Sequence, residues 1–271
     1  MTGMHGLIDT AGRTARDLWL RGWAEGNAGN LSYRLSPEEF SGTELRMGPW
    51  HDLGAHLPDV AGRRFLLTAT GSFFRELERA PERNLGVIEV EEKGRRYRTV
   101  WGYRDGCRPT SELLPHLRAH AARIRTGQDE ERAVLHTHPT NLIALTYAVP
   151  LTTHTLTRFL WEMHTECIVV FPRGCGFLDW RLPGSEEQAR ATEEVFEKRT
   201  MAVWQHHGVV ALGEDFETAF GLIETAEKAA GIYLQVAALG PVSQKLSTAQ
   251  LTALAEEFGV EPDPEILRGG G

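Results

Sequence analysis

Apolar residues recur at helical spacing along several stretches of the chain, and this pattern predicts a series of amphipathic helices. The first stretch covers residues 8–23, and a polar, glycine-rich run follows it. A second helix is expected to end near residue 124, with Thr110 or Ser111 as its cap. Thr140 is the expected cap of the next one. Further helices are predicted over residues 141–149, 186–199, 215–239 and 247–258.

Shorter apolar runs bounded by turn residues predict strands. These runs cover residues 65–70, 85–90, 97–103, 133–138, 167–172 and 201–212, the last interrupted by His-His-Gly. The second and third runs are close enough to form a hairpin. Residues 36–62 contain prolines and glycines with weak periodicity, which predicts a long irregular segment. Strands interleaved with helices indicate a layered α/β fold.

The composition is that of a globular protein. Apolar residues make up 41% of the 271 residues and charged residues 24%, enough for a sizeable core. We expect one domain over residues 1–271, with its compact part near residues 8–258 and a loosely held tail at 259–271. The cysteines Cys107, Cys167 and Cys175 lack Cys-x-x-Cys spacing, so we expect reduced, buried thiols.

Charge and hydropathy exclude several classes of partner. The net charge of −8 gives no basic surface for a nucleic-acid backbone, although it does not exclude one small anionic substrate. No run approaches the roughly 20 apolar residues of a membrane helix, and the first ten residues lack the features of a signal peptide. The sequence therefore predicts a cytoplasmic protein that binds neither nucleic acid nor membrane.

The histidines at 136 and 138 have the spacing of metal ligands. Alternate residues of a strand point to the same side, so His136 and His138 can converge on one point. Zinc needs a further ligand, and His207 in the His-His-Gly run is the candidate. Spacing alone leaves open a pair of ordinary core or surface histidines. The remaining histidines, His116 and His120 among them, have no such spacing and receive no role.

Two carboxylates are candidates for acid–base chemistry. Glu112 lies at a predicted helix start. There it can act as a base beside a metal, or it can simply stabilise the helix through the interaction of its negative charge with the helix dipole. Glu166 precedes an apolar run, so its charge must be paired or lie at an edge. A solvated carboxylate at the start of a strand is the alternative for Glu166.

Two polar, glycine-containing segments are candidate phosphate sites. Residues 26–30 and 68–72 can each present backbone N–H groups to an anion, although ordinary turns have the same composition. The chain contains neither Gly-x-Gly-x-x-Gly nor a Walker-type motif. Dinucleotide and ATP chemistry therefore have no motif in this sequence.

Taken in order, five motifs resemble those of the class II sugar-phosphate aldolase family. They are Gly-Asn-Ala-Gly-Asn-Leu-Ser at 26–32, Thr-Ala-Thr-Gly at 68–71, Pro-Thr-Ser-Glu at 109–112, His-Thr-His-Pro-Thr-Asn at 136–141 and His-Gly-Val at 207–209. Their joint occurrence is far more specific than any one of them, and the resemblance extends from the first predicted helix to the last. It implies a single-domain, three-layer α/β/α fold with a central, mainly antiparallel sheet.

The resemblance also implies a site. One Zn²⁺ per subunit would be bound by His136, His138 and His207. Glu112 would move a proton at the carbon next to the substrate carbonyl, and Glu166, delivered from a neighbouring subunit, would handle the proton at the aldehyde oxygen. Substrate and phosphate contacts are implied for Asn27, Gly29, Asn30, Thr70, Gly71, Thr110 and Ser111.

The activity implied is reversible cleavage of a ketose 1-phosphate by a homotetramer with active sites at subunit interfaces. Two alternatives stay open: another member of the superfamily, such as an epimerase or a dehydratase, and a non-catalytic sugar-phosphate-binding protein. A glutamate at position 112 argues against the epimerase. The presence of both Glu112 and Glu166 argues against a protein without activity.

Overall fold

A nine-stranded sheet forms the centre of the protein in the computed structural model, which describes residues 3–268. The strands are β1 (Asn30–Leu35), β2 (His51–Asp52), β3 (Arg64–Thr68), β4 (Leu85–Val90), β5 (Arg96–Gly102), β6 (Ala133–Thr137), β7 (Gly176–Leu178), β8 (Met201–Trp204) and β9 (Gly208–Gly213). Their order is β2-β5-β4-β3-β1-β6-β9-β8-β7. Within residues 3–268, β7–β8 is parallel and every other pair is antiparallel. The expectation of a mainly antiparallel sheet is confirmed.

Helices cover both faces of this sheet, so the expected three layers are also confirmed. The helices are α1 (Met4–Leu20), α2 (Pro81–Asn84), α3 (Leu113–Arg125), α4 (Thr140–Ala148), α5 (Thr153–Met163), α6 (Glu166–Val170), α7 (Glu186–Phe196), α8 (Phe216–Leu239), α9 (Thr248–Phe258) and α10 (Pro264–Arg268). The larger apolar core lies between one face of the sheet and α1, α4, α5, α8 and α9. Helices α3 and α7 pack on the opposite face.

The alternation of side chains in β1 and β6 determines what faces α3. Leu31 and Tyr33 of β1 and Leu135 of β6 belong to the larger core on the α1–α8 side. Because successive side chains point to opposite faces, Ser32 and His136 point towards α3 instead. The face under α3 is therefore polar at this end of the two strands.

The six predicted helices are confirmed as α1, α3, α4, α7, α8 and α9, with ends shifted by a few residues. The two predicted caps are wrong. Glu112 occupies the cap position of α3, and the Thr110 hydroxyl accepts a hydrogen bond from the Glu112 backbone N–H at 3.2 Å. Pro139 occupies the cap position of α4, while Thr140 is already helical.

The strand predicted at 167–172 is wrong, because these residues are mostly part of α6. The carbonyl of His164 accepts from the Cys167 N–H at 3.1 Å, and the carbonyl of Cys167 accepts from the Phe171 N–H at 3.0 Å. These are turn and helix contacts. A short apolar run that is buried on several sides has no periodicity to separate strand from helix.

Several further segments differ from the predictions. Strand β1, helix α5 and strand β7 were not predicted. The expected loose tail instead contains α10, whose Ile266 is buried in the larger core, while residues 269–271 of that tail lie outside the described residues. In the irregular segment 36–62, Leu53, Leu57 and Val60 are buried in a second apolar cluster, which lies between the sheet and α3.

All three cysteines are free, and Cys167 and Cys175 are buried. No helix among residues 3–268 has both the length and the apolar character needed to cross a membrane.

Candidate metal centre

Three histidines from two parts of the sheet converge at one edge. His136 is the penultimate residue of β6, His138 directly follows this strand, and His207 lies in the turn between β8 and β9. One ligand nitrogen from each ring lies within 4.8 Å of the others. This is the only such group of potential metal ligands in residues 3–268. The convergence expected from the His-x-His spacing is present.

The His-His-Gly run forms a tight turn that brings His207 to the cluster. His206 has a left-handed backbone with φ of 60°, which few non-glycine residues adopt. A Cβ on Gly208 would lie 2.5 Å from the Thr137 carbonyl oxygen and 2.9 Å from the His138 ring. Only glycine therefore allows the β8–β9 turn to approach β6 this closely.

Two of the three imidazoles, those of His136 and His207, are held in the neutral form. Burial, with a smaller contribution from the neighbouring His138 ring, lowers the pKa of His136 well below its ordinary value. Burial and the neighbouring His136 lower the pKa of His207 to about 3. Neutral imidazole is the form that binds a metal, since its free nitrogen carries a lone pair.

Hydrogen bonds to the outer nitrogens direct the inner ones to the centre. The Nδ1–H of His136 donates to the Val209 carbonyl at 2.9 Å, and His138 Nδ1 bonds the Glu25 carboxylate at 2.8 Å. Nε2 of His138 is buried and has no hydrogen-bond partner among residues 3–268. A ring held through one nitrogen with the other nitrogen free is the usual state of a metal-ligating histidine.

The carboxylate of Glu112 faces this cluster from the start of α3. Its Oε2 lies 3.5 Å from Nε2 of His136, and its Oε1 lies 3.9 Å from Nε2 of His207. A carboxylate and the lone pair of a neutral imidazole repel each other at this distance unless a cation lies nearby. The residues present therefore fit a bound metal ion. The Asn30 side chain donates to Glu112 Oε2 at 2.8 Å.

Four of the implied substrate residues lie on two adjoining loops. The loop after β3 and the loop before α3 are joined by a bridge between Ala69 and Pro109 and by a hydrogen bond from the Thr110 N–H to Thr68 O at 3.0 Å. Thr70, Gly71 and Ser111 are exposed there, whereas Thr110 is buried. Gly71 has φ of 70°, in the left-handed region.

The other implied substrate residues lie before and at the start of β1. Asn27 is exposed, and Gly29 has φ of 81° with the carbonyl oxygen of His136 3.2 Å from where its Cβ would be. Asn30 differs, because it is buried and both polar atoms of its side chain are occupied. Its Nδ2 binds Glu112 and its Oδ1 binds His116.

Glu166 is not brought to the histidines by any contact within this chain. It is exposed in the first turn of α6 and makes no side-chain hydrogen bond or ion pair with another described residue.

Several residues that contact the site were not singled out in the sequence. Glu25 holds His138, and Ser32, His116 and His120 form a buried polar group behind Glu112. Trp204 packs against the rings of His136 and His207. The i, i+4 spacing of Glu112, His116 and His120 is a signal that could have identified one polar helix face.

The fold and the site together define a class: a three-layer α/β/α protein with a histidine metal centre and an adjacent carboxylate at one edge of its sheet. The chain belongs to the class II aldolase and adducin N-terminal domain family, whose model matches residues 11–234. Class II aldolases are metal-dependent, and the three histidines can bind a metal.

Relatives cover nearly the whole chain. A protein of Pectobacterium atrosepticum named rhamnulose-1-phosphate aldolase is 40% identical over 259 residues, 94% of each chain. A protein of the same name from Listeria monocytogenes is 42% identical over 260 residues, again 94% of each. The crystal structure of a sugar-phosphate aldolase from Thermotoga maritima superposes with a TM-score of 0.77 at 33% identity, over 88% of this chain and 98% of that one.

Proposed function

We propose that this protein reversibly cleaves L-rhamnulose 1-phosphate to dihydroxyacetone phosphate and L-lactaldehyde in a zinc-dependent reaction. The observation that carries the proposal is the convergence of three histidines and the buried carboxylate of Glu112 at one edge of the sheet. Relatives 40% and 42% identical over 94% of the chain are named for this activity, which supports the choice of substrate.

His136, His138 and His207 would hold the metal. Imidazole nitrogens suit zinc, and three protein ligands leave a position open for substrate oxygen. When bound there, zinc supplies a Lewis acid that stabilises negative charge on substrate oxygens.

The reaction needs two proton transfers. In the cleavage direction the C3–C4 bond breaks, the C4 hydroxyl loses its proton to become the aldehyde, and C3 gains a proton to become the hydroxymethyl carbon of dihydroxyacetone phosphate. We assign the proton at C3 to Glu112, which faces the histidines from the start of α3. In the direction of synthesis the same carboxylate removes that proton. No lysine is assigned to the site, so a Schiff base has no part in the proposal.

We assign the proton at the C4 oxygen to Glu166 of the partner subunit, in a homotetramer whose sites lie at subunit interfaces. Glu166 is exposed and without a side-chain hydrogen bond in the described part of this chain, which leaves it free to enter a neighbouring site. The substrate phosphate would bind at the loops that carry Asn27, Gly29, Thr70, Gly71 and Ser111, whose exposed or part-exposed small polar residues suit a dianion. Thr110 would support these loops from its buried position.

A panel of three substrates tests the proposal. Zinc-loaded protein is incubated with L-rhamnulose 1-phosphate, L-fuculose 1-phosphate or L-ribulose 5-phosphate, and release of dihydroxyacetone phosphate and epimerisation of the pentulose are followed. The proposal requires cleavage that is fastest with L-rhamnulose 1-phosphate and stops with a chelator. Epimerisation alone would retain the metal site but refute the roles of both glutamates. No reaction with any of the three would indicate a binding protein.

The Glu112→Gln variant tests the assigned base. Because general acid–base catalysis contributes on the order of 10²- to 10⁴-fold, kcat should fall by that factor. Zinc content, measured by atomic absorption, should stay at the wild-type level. A Glu112→Gln protein that binds zinc and remains fully active would remove Glu112 from the mechanism.

A further inference from the structure

A continuous chain of hydrogen bonds extends from Glu112 into the space between α3 and the sheet. Asn30 Nδ2 donates to Glu112 Oε2 at 2.8 Å, and Asn30 Oδ1 is in close contact with His116 Nε2. His116 Nδ1 lies 2.7 Å from the Ser32 hydroxyl, which lies 2.9 Å from His120 Nε2. All five side chains are buried, and His120 is 0% exposed.

The spacing of alternate residues in β1 and the spacing of every fourth residue along α3 bring these residues together. Asn30 and Ser32 are alternate residues of β1 and point towards α3. Glu112, His116 and His120 are spaced by four residues and lie along one face of the helix that packs there. Each polar residue of β1 therefore lies between two of the three helix residues: Asn30 contacts Glu112 and His116, and Ser32 contacts His116 and His120.

The contacts determine where the hydrogens lie. An amide oxygen only accepts, so His116 Nε2 must carry a hydrogen and donate it to Asn30 Oδ1. Burial lowers the pKa of His116 to about 4, so the ring is neutral near pH 7 and its Nδ1 is bare. Ser32 therefore donates to His116 Nδ1 and accepts from His120 Nε2–H. His120 Nδ1 is then left as a lone acceptor, and it has no partner among the described residues.

Every donor in this series of hydrogen bonds therefore points towards Glu112. If the Asn30 amide were turned over, its oxygen would face the carboxylate and its NH₂ group would require a bare Nε2 on His116. A Glu112 carboxylate facing an amide oxygen has two acceptors in contact, which costs free energy in a buried site. The tautomer of His116 and the orientation of Asn30 are thus coupled.

We propose that His116, backed by Ser32 and His120, is a positioning residue that fixes the Asn30 amide so that it donates to Glu112 and aims the carboxylate at the reacting carbon. The catalytic part of this proposal rests on the proposed function. The group carries no charge and touches neither substrate nor metal. His116 acts on the Glu112 carboxylate only by fixing the orientation of the Asn30 amide.

The first test is the tautomer of His116, which does not depend on any substrate. Protein with ¹⁵N-labelled histidine rings is examined by NMR at pH 7 to 9, with His116→Gln used to assign the resonances. We expect Nε2 of His116 to be protonated and Nδ1 to be bare. A protonated Nδ1, or a charged ring, would overturn the proposal even if the protein proves to be an active aldolase.

The second test compares two substitutions at His116. In His116→Gln the side-chain NH₂ can still donate to Asn30 Oδ1, whereas His116→Leu removes the donor. Because changes behind a functional residue usually cost 10- to 100-fold, we expect kcat of the Leu variant to fall by roughly that factor with KM nearly unchanged. The Gln variant should recover most of the loss. Exchange of the C3 proton of dihydroxyacetone phosphate with deuterated solvent should fall in parallel.

Thr157→Val is the matched control. Thr157 lies in α5, and its buried hydroxyl donates to the Cys175 carbonyl and accepts from the Cys175 N–H. The substitution should lower thermal stability without lowering kcat. Equal loss in the Leu and Gln variants, or a rise in KM with loss of zinc, would show that His116 only supports the fold and would refute positioning. If wild-type protein cleaves no substrate, the proposed function fails, and the NMR result alone still decides the state of His116.

Discussion

Glu25 is the most solvent-exposed of the residues that hydrogen-bond to the histidine cluster. Its carboxylate bonds His138 Nδ1 at 2.8 Å but is 67% exposed. Partial burial alone would raise the pKa of Glu25, yet the hydrogen bond with His138 and the nearby charge lower it overall. Glu25 therefore stays ionised and holds the ring with its Nε2 towards the other two histidines. A carboxylate in this position also makes the histidine a stronger ligand.

Replacing Glu25 by alanine should weaken metal binding rather than catalysis. Loss of an outer partner of a metal-ligating histidine typically lowers metal affinity 10- to 100-fold, so we expect roughly that rise in the zinc Kd, measured by chelator competition. With saturating zinc, kcat should recover. Glu44→Ala, another exposed glutamate, is the control and should leave the Kd unchanged. Equal Kd values for both variants would show that Glu25 does not support His138.

The histidine cluster could be predicted from the sequence, but the side chains behind it could not. His136 and His138 carry a local signal, since alternation in a strand fixes their common direction. The pairing of Asn30 with Glu112 joins residues 82 apart in sequence and depends on how α3 lies on β1. Asn30 was accordingly assigned to a phosphate loop, whereas the structure shows its side chain buried against Glu112 and His116.

The start of α4 is secured by a residue from another helix. Pro139 cannot cap α4 with its side chain, so the first N–H groups need another acceptor. The buried carboxylate of Glu227, on α8, accepts from the N–H groups of Asn141 at 2.9 Å and Leu142 at 2.8 Å. Because α4 begins two residues after His138, this contact also fixes the chain that leaves the metal centre.

Replacing Glu227 by alanine should destabilise the protein by about 2 to 4 kcal/mol, because the buried Leu142 N–H and the part-buried Asn141 N–H lose a charged acceptor. Urea denaturation of the zinc-loaded protein measures this difference. Glu224→Ala is the control on the same helix, since it removes an exposed ion pair with Arg21 and should cost less than about 1 kcal/mol. Similar losses in the two variants would mean that Glu227 is not needed to anchor α4.

Elements with a regular pattern could be predicted, and those defined by tertiary contacts could not. Helix α8 has both a long periodic stretch and Asp215, whose side chain accepts from the Thr218 N–H at 2.8 Å. Helix α5 carries a comparable signal that was missed: Thr152 and Thr155 form a capping box. Helix α6 has no such signal, since five residues that are largely apolar fit a buried strand equally well.

The buried histidines make the stability of the whole molecule sensitive to acid. Burial lowers the pKa of His116 from 6.5 to about 4, and burial also lowers the pKa of His120 well below its ordinary value. As pH falls from 6.5 towards 4, the unfolded chain binds a proton at His116 that the folded protein does not bind. The free energy of unfolding must therefore fall across this range, and it is unaffected by His116 above it.

Metal-free wild type and His116→Gln should show this difference in urea denaturation between pH 7.5 and 5. In His116→Gln the unfolded chain no longer binds this extra proton. Below pH 6.5 its free energy of unfolding should therefore depend less steeply on pH than that of the wild type, by about 1.4 kcal/mol per pH unit. The carboxylates are the same in both proteins, so their contribution cancels. Parallel curves would show that His116 is protonated in the folded state.

The assembly proposed for the protein predicts complementation between inactive subunits. Glu112→Gln and Glu166→Gln should each have low activity alone. If a site combines Glu112 of one subunit with Glu166 of the partner subunit, mixed tetramers contain some sites with both carboxylates. Random mixing should restore roughly a quarter of wild-type activity after the two variants are refolded together. If both residues acted within one chain, every site would keep one defect and mixing would restore nothing, so this experiment distinguishes a shared site from a self-contained one.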